Sequence, residues 1–181
     1  DYREMLGEVR NPGRFSLNLS LKQLQQASFI LRCRSVFRRH GVSPTALELE
    51  ITESVAMEDP LSVARQLHEL KALGLRVAVD DFGCGFSSLG SLNRLPFDRV
   101  KIDRAFVREL TPETQGDCIA TMIIKLAKGL GLEVIAEGVE TDQQAQLLRE
   151  MGCAEMQGFL YARPMQAEAL EQWVMRSTQM P

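Results

Sequence analysis

The chain has 181 residues, 45% of them hydrophobic and 25% charged, with a formal net charge of −3. These values fit one soluble globular domain with a substantial core and exclude a general affinity for nucleic acid polymers or anionic membranes. An anionic ligand would therefore need local help from metal ions, backbone amides or a few placed cations. The apolar runs are too short for direct membrane insertion. Cys33, Cys84, Cys118 and Cys153 are scattered without a CxxC pair or zinc-finger spacing, a pattern that fits reduced thiols in a cytoplasmic protein.

Strand-like and helix-like stretches alternate along the chain. Residues 15–20 read as a strand, followed by a helical stretch to His40 that Gly41 can terminate. Residues 46–51 form the next strand. Pro60 opens a helix carrying Leu61, Ala64, Leu67 and Leu70 on one stripe, and Gly74 closes it. Further strands are predicted over 75–79, 98–102 and 133–136, with a weaker sixth over 156–160. Helices follow at about 117–130 and 141–151, the second opened by a Thr-Asp cap, and a last one begins near Gln166. Six βα units without hairpin signals imply a parallel sheet. An open doubly wound sheet and a barrel both satisfy this pattern, and no linker divides the chain.

The polar residues within these strands carry the chemistry. In the run Leu47-Glu48-Leu49-Glu50-Ile51 the apolar residues share one face and both glutamates take the other. The third strand ends in Asp80-Asp81, and the fourth sets Val100 and Ile102 against Lys101 and Asp103. Glu137 ends the fifth strand, Asn18 lies late in the first, and Gln157 lies in the sixth. All of these sit at or near carboxyl-terminal strand ends, the face on which βα barrels build active sites. Converging carboxylates from Glu50, Asp80, Asp81 and Glu137 repel one another and call for cations. Oxygen donors without suitably placed histidines favour Mg²⁺ or Mn²⁺ over zinc, and two such ions would suit phosphodiester hydrolysis.

Other charged residues have simpler readings. Asp103 and Asp142 are cap or loop residues, and His40 and His68 are surface residues on helices. Arg32, Arg34, Arg38 and Arg39 form a solvated helix face. Phe29, Ile30, Val36 and Phe37 are expected to pack in the core.

Taken together, the motifs resemble those of the EAL domains that hydrolyse cyclic di-GMP. Asn18 in Phe-Ser-Leu-Asn-Leu-Ser resembles the family's asparagine strand, and Glu50-Ile51-Thr52-Glu53-Ser54 its Glu-x-Thr-Glu motif. The run Asp80-Asp81-Phe82-Gly83-Cys84-Gly85-Phe86-Ser87-Ser88-Leu89 is close to the family's Asp-Asp-Phe-Gly-Thr-Gly-Tyr-Ser-Ser-Leu loop. Lys101-Ile102-Asp103, Glu137-Gly138-Val139-Glu140-Thr141 and Gln157-Gly158 follow in family order. The resemblance implies a modified TIM (β/α)8 barrel, an α/β fold of which strands three to eight are present, within a single domain spanning residues 1–181. It assigns Asn18, Glu50, Asp80, Asp81 and Glu137 to two Mg²⁺ or Mn²⁺ ions. Lys101 would orient the attacking water or neutralise charge on the phosphorane, and Gln157 would position water or ligand. Glu53 would anchor the Asp-Asp-Phe-Gly loop, which in the family links dimerisation to metal binding. The implied partners are cyclic di-GMP and a second copy of the chain, with room for an upstream sensory or cyclase domain. Cys84 and Phe86 depart from the family's threonine and tyrosine, each removing a hydroxyl from the loop.

The Glu-Ala-Leu motif that names the family precedes the asparagine strand, and only 17 residues stand before Asn18. Residues 1–13 read as the end of a preceding helix and its turn. Glu168-Ala169-Leu170 spells the motif near the C terminus, but in the last predicted helix, where it is a decoy. On this reading the chain lacks the N-terminal strands, exposes sheet edges prone to aggregation or pairing, and hydrolyses its substrate weakly or not at all. A catalytically silent cyclic-di-GMP-binding module is the alternative function.

Overall fold

A computed structural model of the chain describes residues 14–83, 94–114, 116 and 118–177. Period-two alternation places six strands in one sheet: β1 (Phe15–Asn18), β2 (Leu47–Thr52), β3 (Arg76–Phe82), β4 (Arg99–Ile102), β5 (Glu133–Ala136) and β6 (Glu155–Met156). Each strand pairs in parallel with the next, in the order β1-β2-β3-β4-β5-β6. A doubly wound sheet reverses its strand order at a switch point. The unbroken order here resolves the choice in favour of a barrel-type sheet, curled into part of a barrel.

The helices are α1 (Leu21–Leu24), α2 (Phe29–His40), α3 (Glu53–Glu58), α4 (Pro60–Ala72), α5 (Arg104–Arg108), α6 (Ile119–Gly129), α7 (Asp142–Met151) and α8 (Ala167–Ser177). Leu49, Ile51, Val77, Val79, Val100 and Ile102 form a buried layer with Leu67 and Leu70 of α4 and Ile123 and Ile124 of α6. None of the helices among the described residues is long and apolar enough to cross a membrane.

Several boundaries differ from the sequence reading for local reasons. β1 stops at Asn18 because Ser20 and Gln23 form a capping box that starts α1, breaking the expected single helix before α2. Asp98 is not in β4; its carboxylate accepts hydrogen bonds from Lys71 Nζ at 2.8 Å and the Val77 N–H at 2.9 Å, stapling α4 to β3. β6 begins one residue earlier than expected and ends by Met156, since the following chain turns back, with Leu160 N–H donating to Val139 O. Gln157 therefore follows β6. Val36 is corrected from core to surface: it is 52% exposed, on the margin of the α2 face that packs Phe29, Ile30, Cys33 and Phe37 against the core. Arg32, Arg34, Arg38, Arg39, His40 and His68 are exposed, as expected.

The concave face of the sheet holds a charged layer that the sequence reading did not identify. Arg99 of β4 lies 3.4 Å from Glu48 of β2, 2.7 Å from Glu133 of β5 and 2.8 Å from Glu155 of β6. Arg76 of β3 joins at 2.8 Å from Glu133. Glu48 and Arg99 are buried, so one guanidinium ties strands on both sides of β4 near their amino-terminal ends. Burial raises the Glu133 pKa, but hydrogen bonds from Arg99 and Arg76 outweigh it and hold the carboxyl below its ordinary range.

Removing one partner of a buried ion pair leaves the other charged and unsolvated. Arg99→Met is expected to lower unfolding stability by about 3–5 kcal/mol, measured by denaturant titration; a change within experimental error would show the layer to be dispensable.

Cys153 is 1% exposed, and burial pushes its thiol pKa up to about 11. The folded state thus keeps the proton that the unfolded chain releases, and this site's contribution to stability falls as pH rises between about 9 and about 11. At pH 8, iodoacetamide is expected to modify Cys153 in denaturant but not in the folded chain, as read by peptide mass mapping.

Candidate active site at the strand ends

Glu50 and Glu48 occupy alternate positions of β2, so both face the concave side, and Glu50 stands one layer nearer the carboxyl-terminal end. Lys101 bears the same relation to Arg99 on β4. Between them β3 presents Ala78, which is fully buried and is paired in register with Glu50 and Arg99. A residue without a long side chain at this place lets groups on β2 and β4 meet across β3.

They meet at the Lys101 ammonium. Its Nζ lies 2.6 Å from Glu50 Oε2, 2.7 Å from Glu137 Oε1 and 3.2 Å from Asp80 Oδ1. Glu137 follows β5 and is held by its N–H donating to Ile102 O at 3.1 Å. Burial favours the neutral amine at Lys101, but hydrogen bonds and attraction from Glu137 and Glu50 outweigh it and raise its pKa well above the ordinary lysine value. At Glu137, burial raises the carboxyl's pKa, and the charges of Asp80 and Glu50 push the same way against the pull of Lys101. The cluster therefore holds three carboxyl groups around one protonated amine.

The remaining candidates surround this centre. Asp81 adopts a left-handed backbone with φ of 52°. Burial, the Asp80 charge and contact with Asp103 raise its carboxyl pKa. Asp103 also caps α5, accepting from the Ala105 N–H at 2.7 Å. Glu53 is buried at the start of α3, and its Oε2 accepts from the Gly83 N–H at 2.9 Å. Asn18 pairs in register with Glu50 but is exposed on the edge strand, outside the Lys101 cluster. Gln157 follows β6, where its N–H donates to Ala136 O at 2.8 Å and its carbonyl accepts from the Val139 N–H at 3.0 Å. Glu168 stands in the first turn of α8, not at a strand end. Cys84, Phe86 and the rest of residues 84–93, like residues 1–13, lie outside the described residues.

Beside the cluster, Asp81, Asp103, Glu137, Glu140 and Gln157 share a cleft with Arg104, Arg108 and Phe159. Arg108 pairs with Glu140 at 3.4 Å, and the Arg163 guanidinium lies 4.5 Å from the Phe159 ring centroid. Sequence reasoning did not single out these arginines or Phe159. Their signal was position: Arg104 directly follows Lys101-Ile102-Asp103, and Phe159 directly follows Gln157-Gly158.

The clustered donor groups are carboxylates, with no imidazole or thiol among them. That composition fits a hard divalent cation. Among the described residues no three acidic, imidazole or thiol groups form a ready-made cage; Glu50, Asp80 and Glu137 instead each direct an oxygen at Lys101.

A partly closed β/α barrel with carboxylates and a lysine converging at its strand ends defines a class of enzyme-like domain, and comparison with known proteins identifies the family. The EAL domain model matches residues 1–164, and the chain belongs to the EAL domain family. It is 43% identical over 155 residues to the bifunctional diguanylate cyclase/cyclic di-GMP phosphodiesterase MucR of Pseudomonas aeruginosa, covering 86% of this chain and 23% of MucR. The solved PaMucR phosphodiesterase in complex with c-di-GMP superposes with a TM-score of 0.85 at 40% identity, covering 93% of this chain and 68% of that one. The EAL domain of Mycobacterium smegmatis DcpA gives a TM-score of 0.88 at 35% identity, with coverage of 99% and 80%. A manganese/cy-diGMP complex of Klebsiella pneumoniae BlrP1 gives 0.74 at 28% identity, with coverage of 83% and 39%. The fold is thus part of an EAL-type TIM barrel. The chain spans less than a third of the length of curated relatives such as MucR.

Gly158 is sterically required beside this site. A Cβ there would lie 2.1 Å from Val139 O and 2.3 Å from Val139 N, with backbone on both sides of the contact. Gly158→Ala is expected to displace the segment carrying Gln157 and to cost about 1–3 kcal/mol in thermal or denaturant unfolding; wild-type stability would show that the backbone yields without cost.

Proposed function

We propose that the chain is the catalytic portion of a cyclic-di-GMP phosphodiesterase, which hydrolyses the cyclic dinucleotide to linear pGpG with two Mg²⁺ or Mn²⁺ ions. The observation that carries this reading is the convergence of Glu50 of β2, Asp80 of β3 and Glu137, just after β5, onto buried Lys101 at the carboxyl-terminal strand ends. The resemblance to MucR and BlrP1, whose structures contain c-di-GMP, supplies the substrate class. In this reading Asn18, Glu50, Asp80, Asp81 and Glu137 would hold the ions. When bound, such ions polarise the phosphoryl oxygens and lower the pKa of water.

The chain's own residues account for the remaining work. Lys101, protonated in this carboxylate setting, is unsuited to abstract a proton and suited to balance charge as the phosphorus centre becomes five-coordinate. Gln157 would orient water or nucleotide from the neighbouring cleft. Glu53 would hold the segment after β3 through the Gly83 N–H. Arg104 and Arg108 place positive charge in that cleft, where an anionic dinucleotide would otherwise meet mainly carboxylates. The proposed unit is a single EAL domain that works as a homodimer, with a sensory or cyclase domain upstream, in the cytoplasm.

A second reading, a regulatory module that binds cyclic di-GMP without cleaving it, draws on one observation. The carboxylates of the described residues are engaged by Lys101 and do not form a ready cage. One assay separates the two. The protein extended upstream through the Glu-Ala-Leu strand and this chain alone are each incubated with cyclic di-GMP and Mn²⁺ or Mg²⁺, and the nucleotides are resolved by chromatography. Conversion to pGpG by the extended protein that EDTA abolishes, and that Glu50→Gln lowers by on the order of 100-fold or more, with weak or no conversion by this chain alone, is the expected result. Saturable nucleotide binding without turnover by the extended protein would select the regulatory module.

A further inference from the structure

The outer face of α2 concentrates positive charge that the rest of the chain does not share. Residues 14–47 contain Arg14, Lys22, Arg32, Arg34, Arg38 and Arg39 and no aspartate or glutamate, whereas the whole chain has a formal net charge of −3. α2 turns Phe29, Ile30, Cys33 and Phe37 toward the core, which leaves Leu31, Arg34, Arg38 and Arg39 exposed on its other side. Leu31 is 65% exposed and lies one helical turn before Arg34 and two before Arg38, so an apolar side chain stands among the arginines. On the side toward α4, Arg34 and Arg38 border an open groove floored by Phe37, Val42, Pro44 and Leu73. Arg39 stands about 100° further round the helix than Arg38. The patch lies at the end of the sheet opposite the carboxylate cluster. α2 runs back from the carboxyl-terminal end of β1, and Pro44–Ala46 lead directly into β2, which sets Arg38, Arg39 and Val42 near the amino-terminal strand ends.

We propose that this face of α2 docks the domain on an anionic lipid surface, with Arg34, Arg38 and Arg39 on lipid phosphates and Leu31 at the edge of the acyl layer. The arginines are spread around a convex helix and do not converge on one point, as a pocket for a single phosphate or carboxylate requires. A plane of headgroups meets all of them at once, and each cation adds to the attraction. Leu31, outward among them, fits shallow insertion at the headgroup boundary and would be idle against a nucleic acid backbone. Because the chain as a whole is acidic, attraction is confined to this face and fixes one orientation. In that orientation the strand-end cleft with Arg104, Arg108 and Gln157 points away from the lipid and stays open to a dissolved nucleotide. The docking face takes no part in the chemistry and does not rest on the phosphodiesterase reading.

The test is co-sedimentation of the purified protein, extended upstream as in the hydrolysis assay, with vesicles of phosphatidylglycerol and phosphatidylcholine, beside vesicles of phosphatidylcholine alone. Binding to the anionic vesicles only is expected, and the triple variant Arg34→Gln, Arg38→Gln, Arg39→Gln is expected to weaken it on the order of 100-fold. Leu31→Ser is expected to weaken vesicle binding and to leave retention on immobilised heparin unchanged. All four side chains are exposed, so these variants are expected to keep the wild-type melting temperature and the wild-type behaviour toward cyclic di-GMP in solution. Absence of binding to anionic vesicles, or binding that the triple variant retains, would overturn the proposal. Equal binding to both kinds of vesicle would trace it to apolar surface and overturn it as well. Retention on heparin or on an acidic peptide without vesicle binding would assign the face to another macromolecule and refute the lipid assignment, as would a Leu31→Ser variant that binds vesicles like the wild type.

Discussion

The structure depends on how negative charge is neutralised on the concave face of a parallel sheet. Glu48, Glu50, Asp80, Glu133, Glu137 and Glu155 come from several strands and strand ends, and so many carboxylates in a partly dry interior would drive the strands apart. β4 resolves this with two cations on the same face, two residues apart. Arg99 gathers Glu48, Glu133 and Glu155 in the lower layer. Lys101 gathers Glu50, Asp80 and Glu137 in the upper one.

The two cations differ in the way their layers need. The Arg99 guanidinium is a planar fork that reaches carboxylates on β2, β5 and β6 at once, which suits a permanent brace. The Lys101 ammonium is a compact point charge, which suits a cluster that offers it one oxygen from each of three carboxylates. The two layers follow the general asymmetry of β/α barrels, in which the amino-terminal face stabilises and the carboxyl-terminal face carries the site.

The resemblance to MucR, DcpA and BlrP1 is consistent with this arrangement, since a shared barrel brings the same strand ends to one place. The particular wall of the neighbouring cleft, with Arg104, Arg108 and Phe159, comes from the short segments that follow β4 and β6. Arg104 and Arg108 belong to the one-turn helix α5, too short to show a pattern in the sequence, and Phe159 to the turn after β6, where side-chain directions have no fixed period. That is why Lys101 could be placed by alternation and Phe159 could not.

Much of the molecule was legible in its residues. Alternation in Leu47-Glu48-Leu49-Glu50-Ile51 assigned each side chain of β2 to a face, and the β5 span of residues 133–136 was read as observed. The ordered motifs from Asn18 to Gln157 identified the family, because their residue types and spacing are linear properties of the chain. Arg99 shares the face of Lys101 by the same period of two, so its side was readable, but its three partners were not. Val36 fits a helical apolar stripe yet is exposed, because helix period gives a face and only the surrounding elements decide whether that face is covered. The choice between a doubly wound sheet and a barrel, the shortened β6 and the gathering of three carboxylates at Lys101 were decided by tertiary structure. Each depends on which strand lies beside which, and on distances between residues well separated in the chain, such as the 51 positions between Glu50 and Lys101. Local sequence specifies the direction of a side chain; the curl of the sheet specifies what it meets.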